Sequence, residues 1–194
     1  EVPLLYVDLD LEPKLRWKNV TKYYKEIGAF PGAVAADGPI APGVQAMMKT
    51  MKVDDEYMQE MRAVVADIDD PSVTLESVML MNLRYELSGW ADTPAGLADT
   101  FASMDLAGFF AEPQGCSGLL AAMPNGTVVH GRNMDYAGFE VVTPDGRVYH
   151  WPQVTTEVIF LRHGRPLFVS THWPGLVGVH TAMRFDGWSF EQNT

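Results

Sequence analysis

The chain has 194 residues, of which 47% are hydrophobic and 20% are charged. This composition is typical of a globular protein with a real core, and the length suits one domain, or one domain with part of another. The 25 acidic and 14 basic residues give a net charge of -11. That balance argues against nucleic acid as a partner, which needs a basic surface. It is compatible with an acidic compartment, where carboxylates are partly protonated and repel each other less.

Residue counts also limit the chemistry. The only cysteine, Cys116, excludes an intrachain disulfide and a cysteine-rich zinc site. The five histidines show no ligand spacing, so we expect no metal and no cofactor. No apolar run is long enough to span a membrane. The first ten residues are not a signal peptide, although a mature chain that had lost one would look the same. Asn19 and Asn125 each begin an Asn-x-Thr triplet and are candidate glycosylation sites.

Residues 1–115 are predicted to form a mainly helical segment. The predicted elements are a strand at 3–9, a helix within 12–24, helical structure over 42–68 with a break at 52–55, and a helix from Ser72 onwards. Residues 88–115 are rich in Gly, Ala, Asp and Pro and predict a long connector with one short helix at 95–104. So long a connector in a compact domain is usually functional.

Methionines are frequent on the predicted helical faces of 42–68. They are Met47, Met48, Met51, Met58 and Met61. One interpretation is ordinary core packing, since apolar stripes at helical spacing are usually buried. The other is an adaptable apolar surface that contacts lipid, because methionine suits variable apolar contacts. The residues alone leave both interpretations open.

Residues 116–194 change to the alternating pattern of strands. Three hairpins are predicted, pairing 116–122 with 127–133, 154–162 with 166–171, and 176–183 with 187–190. The first turns at Asn125-Gly126, a strong hairpin signal. Helices followed by a strand meander predict an α+β protein. The chain ends just after a strand begins, so we expect 116–194 to be the first part of a longer sheet domain.

The chemistry is concentrated between Gly115 and Tyr136. A thiol is a good nucleophile near neutral pH but needs a base or a stabilised thiolate. If the chain were cut before Cys116, the freed α-amine could accept the thiol proton, because its unperturbed pKa is about 7.7–8.0. In the predicted hairpin, Arg132 and Asp135 return towards Cys116. Arg132 could then stabilise the thiolate and Asp135 could hold the ammonium. The alternative is a buried cysteine beside an ordinary ion pair.

The stretch His130-Gly131-Arg132-Asn133-Met134-Asp135-Tyr136, together with Cys116 at the start of the preceding strand, resembles a known family. It is similar to the acid ceramidase and N-acylethanolamine-hydrolysing acid amidase family of N-terminal-nucleophile hydrolases. Weaker similarities are spread over most of the chain: Leu9-Asp10-Leu11-Glu12-Pro13, Leu15-Arg16-Trp17, Asn82-Leu83-Arg84-Tyr85-Glu86, and Gly175-Leu176-Val177-Gly178 with Thr181.

The resemblance implies a precursor that cleaves itself between Gly115 and Cys116. The products would be an α-subunit of about residues 1–115 and a β-subunit that starts at Cys116, joined as an α/β heterodimer in an αββα sandwich. Cys116, Arg132 and Asp135 would be catalytic, and the substrate would be the amide of an N-acyl lipid at acidic pH. The implied location is lysosomal or secreted, and the methionine-rich helices would correspond to a membrane-contacting surface.

The sequence departs from the family at three points. The family has Cys-Thr-Ser where this chain has Cys116-Ser117-Gly118, and its link before the cysteine is shorter than 88–115. It also has an acidic residue near the position of Thr194, and an oxyanion Asn further on. Two alternatives therefore stay open: the same fold acting on another amide, of penicillin or bile-salt type, or in acyl transfer; and a non-catalytic lipid-binding or interaction protein on a degenerate hydrolase scaffold.

Overall fold

The computed structural model describes residues 1–30, 49–91, 115–135, 140–143 and 145–193. The elements, in chain order, are strand β1 (Leu4–Asp8), helices α1 (Pro13–Arg16), α2 (Lys18–Ile27), α3 (Asp55–Ile68) and α4 (Leu75–Ala91), strands β2 (Gly115–Ala122), β3 (Val128–Asp135), β4 (Glu140–Val142) and β5 (Val148–His150), a 3-10 helix (Trp151–Val154), and strands β6 (Thr156–Arg162), β7 (Arg165–His172), β8 (Thr181–Arg184) and β9 (Ser189–Glu191). The predicted α+β class is confirmed.

Five strands form the main sheet, in the order β1-β6-β7-β8-β9. The first strand runs parallel to β6, with Val7 opposite Phe160, and the other neighbours are antiparallel. The β6–β7 hairpin turns at His163 and Gly164, which both have positive φ angles, of 54° and 67°. That geometry follows the right-handed twist of paired strands. Strands β2 and β3 form a separate two-stranded ladder, as do β4 and β5.

The predicted N-terminal helical segment is not confirmed as a helical unit of its own. Strand β1 lies at the edge of the main sheet and shares a ladder with β6, about 150 residues further along the chain. Tyr24 of α2 also contacts this sheet, since its buried hydroxyl lies 2.8 Å from Thr156 Oγ1 and donates to the Val154 carbonyl at 3.0 Å. The division into 1–115 and 116–194 stays a prediction.

The core lies between the main sheet and helices α2, α3 and α4. Its buried members include Val7, Trp17, Val20, Tyr24, Met61, Val64, Ile68, Val78, Val158 and Phe160. Glu60 of α3 is buried with them, and its carboxylate accepts from Arg16 Nη1 and from Trp17 Nε1, each at 2.8 Å. A buried carboxylate needs such partners to offset its lost hydration. This ion pair therefore attaches α1 to α3, through residues of the Leu15-Arg16-Trp17 segment.

Several local predictions are confirmed, and others are wrong. The break before α3 covers residues 51–54, and at its end the Asp54 side chain caps the helix by accepting from Glu56 N at 2.9 Å. The next helix starts at Leu75 and not at Ser72, because Thr74 and Ser77 exchange backbone–side-chain hydrogen bonds there. Residues 176–180 are a loop, so β8 is shorter than predicted. The predicted helix at 95–104 lies outside the described residues.

The methionines of the predicted helical faces divide between core and surface. Met61 is buried and Met58 packs against the core, which agrees with the core interpretation. Met51 is 39% exposed and precedes α3. Met47 and Met48 lie outside the described residues. Contact with lipid through this region stays a prediction, and it depends on Met47, Met48 and Met51.

Candidate active site

The β2–β3 hairpin brings Arg132 to Cys116. Gly118 pairs with Arg132 and Cys116 with Met134, and directly opposed residues project to the same face of a ladder. Cys116 and Arg132 are therefore diagonal neighbours on one face. The Arg132 Nη2 atom donates to Cys116 Sγ at 3.4 Å. A guanidinium at this distance stabilises a thiolate, which is the nucleophilic form of cysteine.

Arg132 is held in place from the other side by the main sheet. Its Nη1 donates to the His180 carbonyl at 2.7 Å and to the Thr181 hydroxyl, and its Nη2 donates to the Gln192 carbonyl at 2.6 Å. The side chain is only 7% exposed. Backbone carbonyls with fixed positions make a rigid set of acceptors for the planar guanidinium. Arg132 thus joins the hairpin to the ends of β8 and β9.

A carboxylate lies behind the guanidinium. Glu191 Oε2 is 3.9 Å from Arg132 Nε and 3.2 Å from His130 Nε2, and Glu191 is 15% exposed. Neither Arg132 Nε nor Glu191 Oε2 has a hydrogen-bond partner within the described residues, so charge attraction at ion-pair distance is what links them. His130 is fixed in turn by Ser189, whose Oγ lies 2.7 Å from Nδ1.

Glu191 was not predicted from the sequence. The family resemblance implied an acidic residue near Thr194, which lies outside the described residues. The acidic neighbour of Arg132 is instead three residues earlier, because the β8–β9 ladder sets Glu191 opposite Thr181. Only the register of that hairpin could have indicated the pairing, and the predicted strand at 176–183 gave the wrong length.

The glycine at position 118 makes room for this carboxylate. A Cβ built on Gly118 would lie 1.7 Å from Glu191 Oε1, far inside contact distance. Gly131, on the same hairpin, has nothing within 4 Å of its Cβ position. The departure from Cys-Thr-Ser at Cys116-Ser117-Gly118 is therefore matched by a side chain that occupies the vacated volume.

Backbone register relates the other predicted site residues. Gly115 pairs with Asp135 at the open end of the hairpin, so Asp135 lies across the ladder from the residue that precedes Cys116. The Asp135 side chain lies outside the described part of the structure. Asn19 and Asn125, the candidate glycosylation sites, are both exposed, in α2 and in the β2–β3 turn respectively.

A groove adjoins Arg132 on the same face of the hairpin. Its volume is about 740 Å³, and it runs between the hairpin and strands β7 to β9. The lining is largely apolar: Leu120, Val128, Val169, Ala182, Met183, Phe185, Trp188 and Phe190 contribute to it. Several of these side chains are substantially exposed, including Leu120 at 67% and Trp188 at 47%. Polar and charged residues, including His130, Arg132 and Glu157, complete the lining. Apolar surface combined with polar groups is the usual form of a site for a small molecule.

The described parts of the chain contain neither a metal-binding cluster nor a membrane-spanning helix. Among the described residues, no three or more His, Cys, Asp or Glu side chains are grouped so that they could hold a metal ion. No helix within those ranges combines the length and apolar character that crossing a bilayer requires.

The known proteins that this chain resembles are named as acid amidases and an acid ceramidase. The chain is 25% identical over 191 residues to an N-acylethanolamine-hydrolyzing acid amidase of Rattus norvegicus, and 26% identical over 184 residues to that of Oryctolagus cuniculus. It is 25% identical over 205 residues to a probable acid ceramidase of Caenorhabditis elegans. The resemblance to the acid ceramidase and acid amidase family is confirmed. The matches cover 92% of this chain in the first two and 96% in the third.

The similarity covers a limited part of the relatives. The chain spans 41% of the length of the rat and rabbit amidases and 44% of the nematode ceramidase. No family model matches the chain. Most of the chain therefore corresponds to less than half of each of these relatives.

Proposed function

We propose that the chain is part of a self-processing cysteine amidase that hydrolyses the amide bond of N-acyl lipids. One observation carries the proposal: the guanidinium of Arg132 lies 3.4 Å from the sulfur of the only cysteine. The relatives, by their names, include amidases that hydrolyse N-acylethanolamines and a ceramidase. A buried arginine that contacts a lone thiol is a costly arrangement for structure alone, and it suits a nucleophile.

In the proposed reaction, Cys116 Sγ attacks the amide carbonyl carbon. The freed α-amine of Cys116 takes the thiol proton and delivers it to the leaving amine as the C–N bond breaks. Arg132 stabilises the thiolate, and Asp135 holds the ammonium form of the α-amine. The acyl group remains on sulfur as a thioester, which water hydrolyses to the free acid. No metal or cofactor takes part.

The groove supports an acyl substrate. Its apolar lining adjoins Arg132, and a cavity of about 740 Å³ is large enough for a lipid chain of moderate length. We infer that the acyl chain lies there while the amide reaches Cys116. A substrate panel of N-acylethanolamines, ceramides, penicillin-type and bile-salt-type amides separates this substrate class from the other amides that the fold could accept.

Self-cleavage between Gly115 and Cys116 would leave the two products associated. The β1–β6 ladder, the Tyr24 hydroxyl and the shared core all join residues before Gly115 to residues after Cys116. An α/β heterodimer is thus the expected mature form, in an αββα sandwich. The family resemblance further supports an acidic lysosomal or secreted setting and membrane contact through the methionine-rich region. In a secretory route, the Asn-x-Thr triplets make Asn19 and Asn125 candidate glycosylation sites.

Intact mass tests the processing step. After incubation of the full chain at acidic pH, we expect two masses that correspond to cleavage between Gly115 and Cys116. The Cys116→Ala variant should keep a single mass under the same conditions, because the attacking sulfur is gone. A wild-type chain that stays whole at every pH, while binding N-acyl lipids, would favour the alternative of a non-catalytic lipid-binding protein.

A further inference from the structure

Asn82 of α4 makes an unusually complete set of hydrogen bonds. The residue is 6% exposed. Its Nδ2 donates to the carbonyls of Val78 and Gly175, each at 2.8 Å. Its Oδ1 accepts from the backbone amides of Val177 and Gly178, at 2.9 and 3.1 Å, and from the Tyr57 hydroxyl at 2.9 Å. Both amide hydrogens and the carbonyl oxygen are thus fully used.

Three of these five bonds go to one loop. The loop, residues 173–180, connects β7 to β8 and takes part in no strand ladder. Buried backbone groups outside a ladder need partners from elsewhere. Asn82 supplies them, for the carbonyl of Gly175 and the amides of Val177 and Gly178. The loop therefore takes its position from a helix in the part of the chain before Cys116.

The same loop leads directly into the acceptors of Arg132. Two residues after Gly178 comes His180, whose carbonyl accepts from Arg132 Nη1 at 2.7 Å and from the Gln192 amide at 2.9 Å. Thr181, the first residue of β8, contacts Arg132 through its hydroxyl. A displacement of the loop at Gly178 changes the position of these two acceptors.

We propose that Asn82 is a positioning residue for the candidate active site: by holding the 173–180 loop, it sets the acceptors that aim Arg132 at Cys116. This proposal rests on the proposed function only in that Arg132 and Cys116 belong to the site. The hydrogen bonds of Asn82 also connect two segments that are far apart in the sequence, one beginning at Asn82 and the other at Gly175.

Two variants test the proposal. Asn82→Asp keeps the size of the side chain and its acceptor oxygen, but loses both donors and sets a second oxygen against the Gly175 carbonyl. Gly178→Ala keeps the Asn82 side chain but sets a Cβ 2.8 Å from the Tyr57 hydroxyl, so the loop or the Tyr57 side chain must shift and the contacts around Asn82 are disturbed. Val7→Ala is the control, since Val7 is fully buried in β1, which two strands separate from β8, and its truncation lowers stability while every hydrogen bond of Asn82 stays in place.

Two readouts apply to the full chain, and neither needs amide turnover. Both test variants should speed hydrogen exchange in the peptide that covers Val177 and Gly178 by at least about tenfold. They should also slow alkylation of Cys116 by iodoacetamide, at fixed pH in native buffer, by about three- to tenfold, the effect of one ordinary hydrogen bond. Val7→Ala should leave the alkylation rate unchanged.

The proposal is overturned if alkylation is as fast in both test variants as in Val7→Ala, even when the loop amides exchange faster. It is equally overturned if those amides stay protected in Asn82→Asp, because the loop is then held without the Asn82 hydrogen bonds. A chain that lacks amidase activity but gives the expected exchange and alkylation rates supports the positioning role, and it counts against the proposed function alone.

Discussion

Arg132→Leu is expected to destabilise the fold by about 3–5 kcal/mol, because it breaks a buried network and leaves a charge without its partner. Glu191 would lose Arg132 and keep His130 at 3.2 Å and Asn193 Nδ2 at 2.9 Å, and the carbonyls of His180 and Gln192 would each lose one donor. Urea unfolding at neutral pH measures this loss. Arg147→Leu is the matched control: Arg147 pairs with Asp145 but is 56% exposed, so we expect a change within about 1 kcal/mol.

The same substitution should also slow the reaction of Cys116 with iodoacetamide by about tenfold under native conditions, since the thiolate loses its neighbouring positive charge. Arg132→Lys keeps a positive charge but not the planar guanidinium, so its alkylation rate should lie between those of the wild type and Arg132→Leu. It serves as the second variant if Arg132→Leu does not fold. An Arg132→Lys protein with wild-type stability and wild-type alkylation would contradict the central place given to this guanidinium.

A buried histidine should make the protein less stable in acid. His172 is fully buried, packs against Trp17 and Phe160 with ring centroids 5.2 and 5.6 Å away, and its Nε2 has no hydrogen-bond partner among the described residues. Burial lowers the pKa of His172 from 6.5 to about 3, with a smaller contribution from nearby His180. The neutral ring is thus strongly preferred in the folded state.

The sign of the effect follows from the two pKa values. As the pH falls below 6.5, the unfolded chain binds a proton at His172, whereas the folded chain does so only near pH 3. The stability that the neutral buried ring contributes at pH 7 is therefore lost progressively over that window, by about 2–3 kcal/mol at pH 4.5. A protein that works in acid must offset this loss through other groups.

His172→Leu should reduce the difference in unfolding free energy between pH 7 and pH 4.5 by about 2–3 kcal/mol. The lost contact between Nδ1 and the Leu176 carbonyl costs the same at both pH values and cancels in this difference. His163→Asn, at a position where the ring is 84% exposed and 3.5 Å from Asp10, should change the difference by less than about 1 kcal/mol, since a surface ion pair contributes little. Equal pH dependence in the wild type and His172→Leu would contradict the burial argument.

Local patterns predicted much of this fold because they depend on near neighbours. The β2–β3 hairpin followed from alternation on both sides of Asn125-Gly126, and the break before α3 followed from the interrupted apolar spacing at 52–55. Pairing between distant segments has no such local signal. The parallel ladder between Leu4–Asp8 and β6 could not be predicted from either strand alone. Because of this ladder, the N-terminal part contributes a strand to the main sheet and is not purely helical.

The candidate site divides in the same way. Cys116 and Arg132 lie on one hairpin, so the sequence could relate them by spacing alone. Glu191 and Asn82 contact partners far along the chain, and no sequence pattern relates either residue to Arg132. Gly118 departs from the family motif, and only the structure gives a reason: a Cβ at this position would overlap the Glu191 carboxylate.

Acyl transfer to Cys116 tests the central claim most directly. A long-chain fatty acid p-nitrophenyl ester should acylate the thiol, with release of p-nitrophenol and formation of a thioester. Such an activated ester makes small demands on the rest of the site, so it tests the described residues themselves. We expect one acyl adduct on the peptide that contains Cys116, removable with neutral hydroxylamine and absent from Cys116→Ala. No adduct on wild-type Cys116, or equal p-nitrophenol release by Cys116→Ala, would contradict the assignment of Cys116 as the nucleophile.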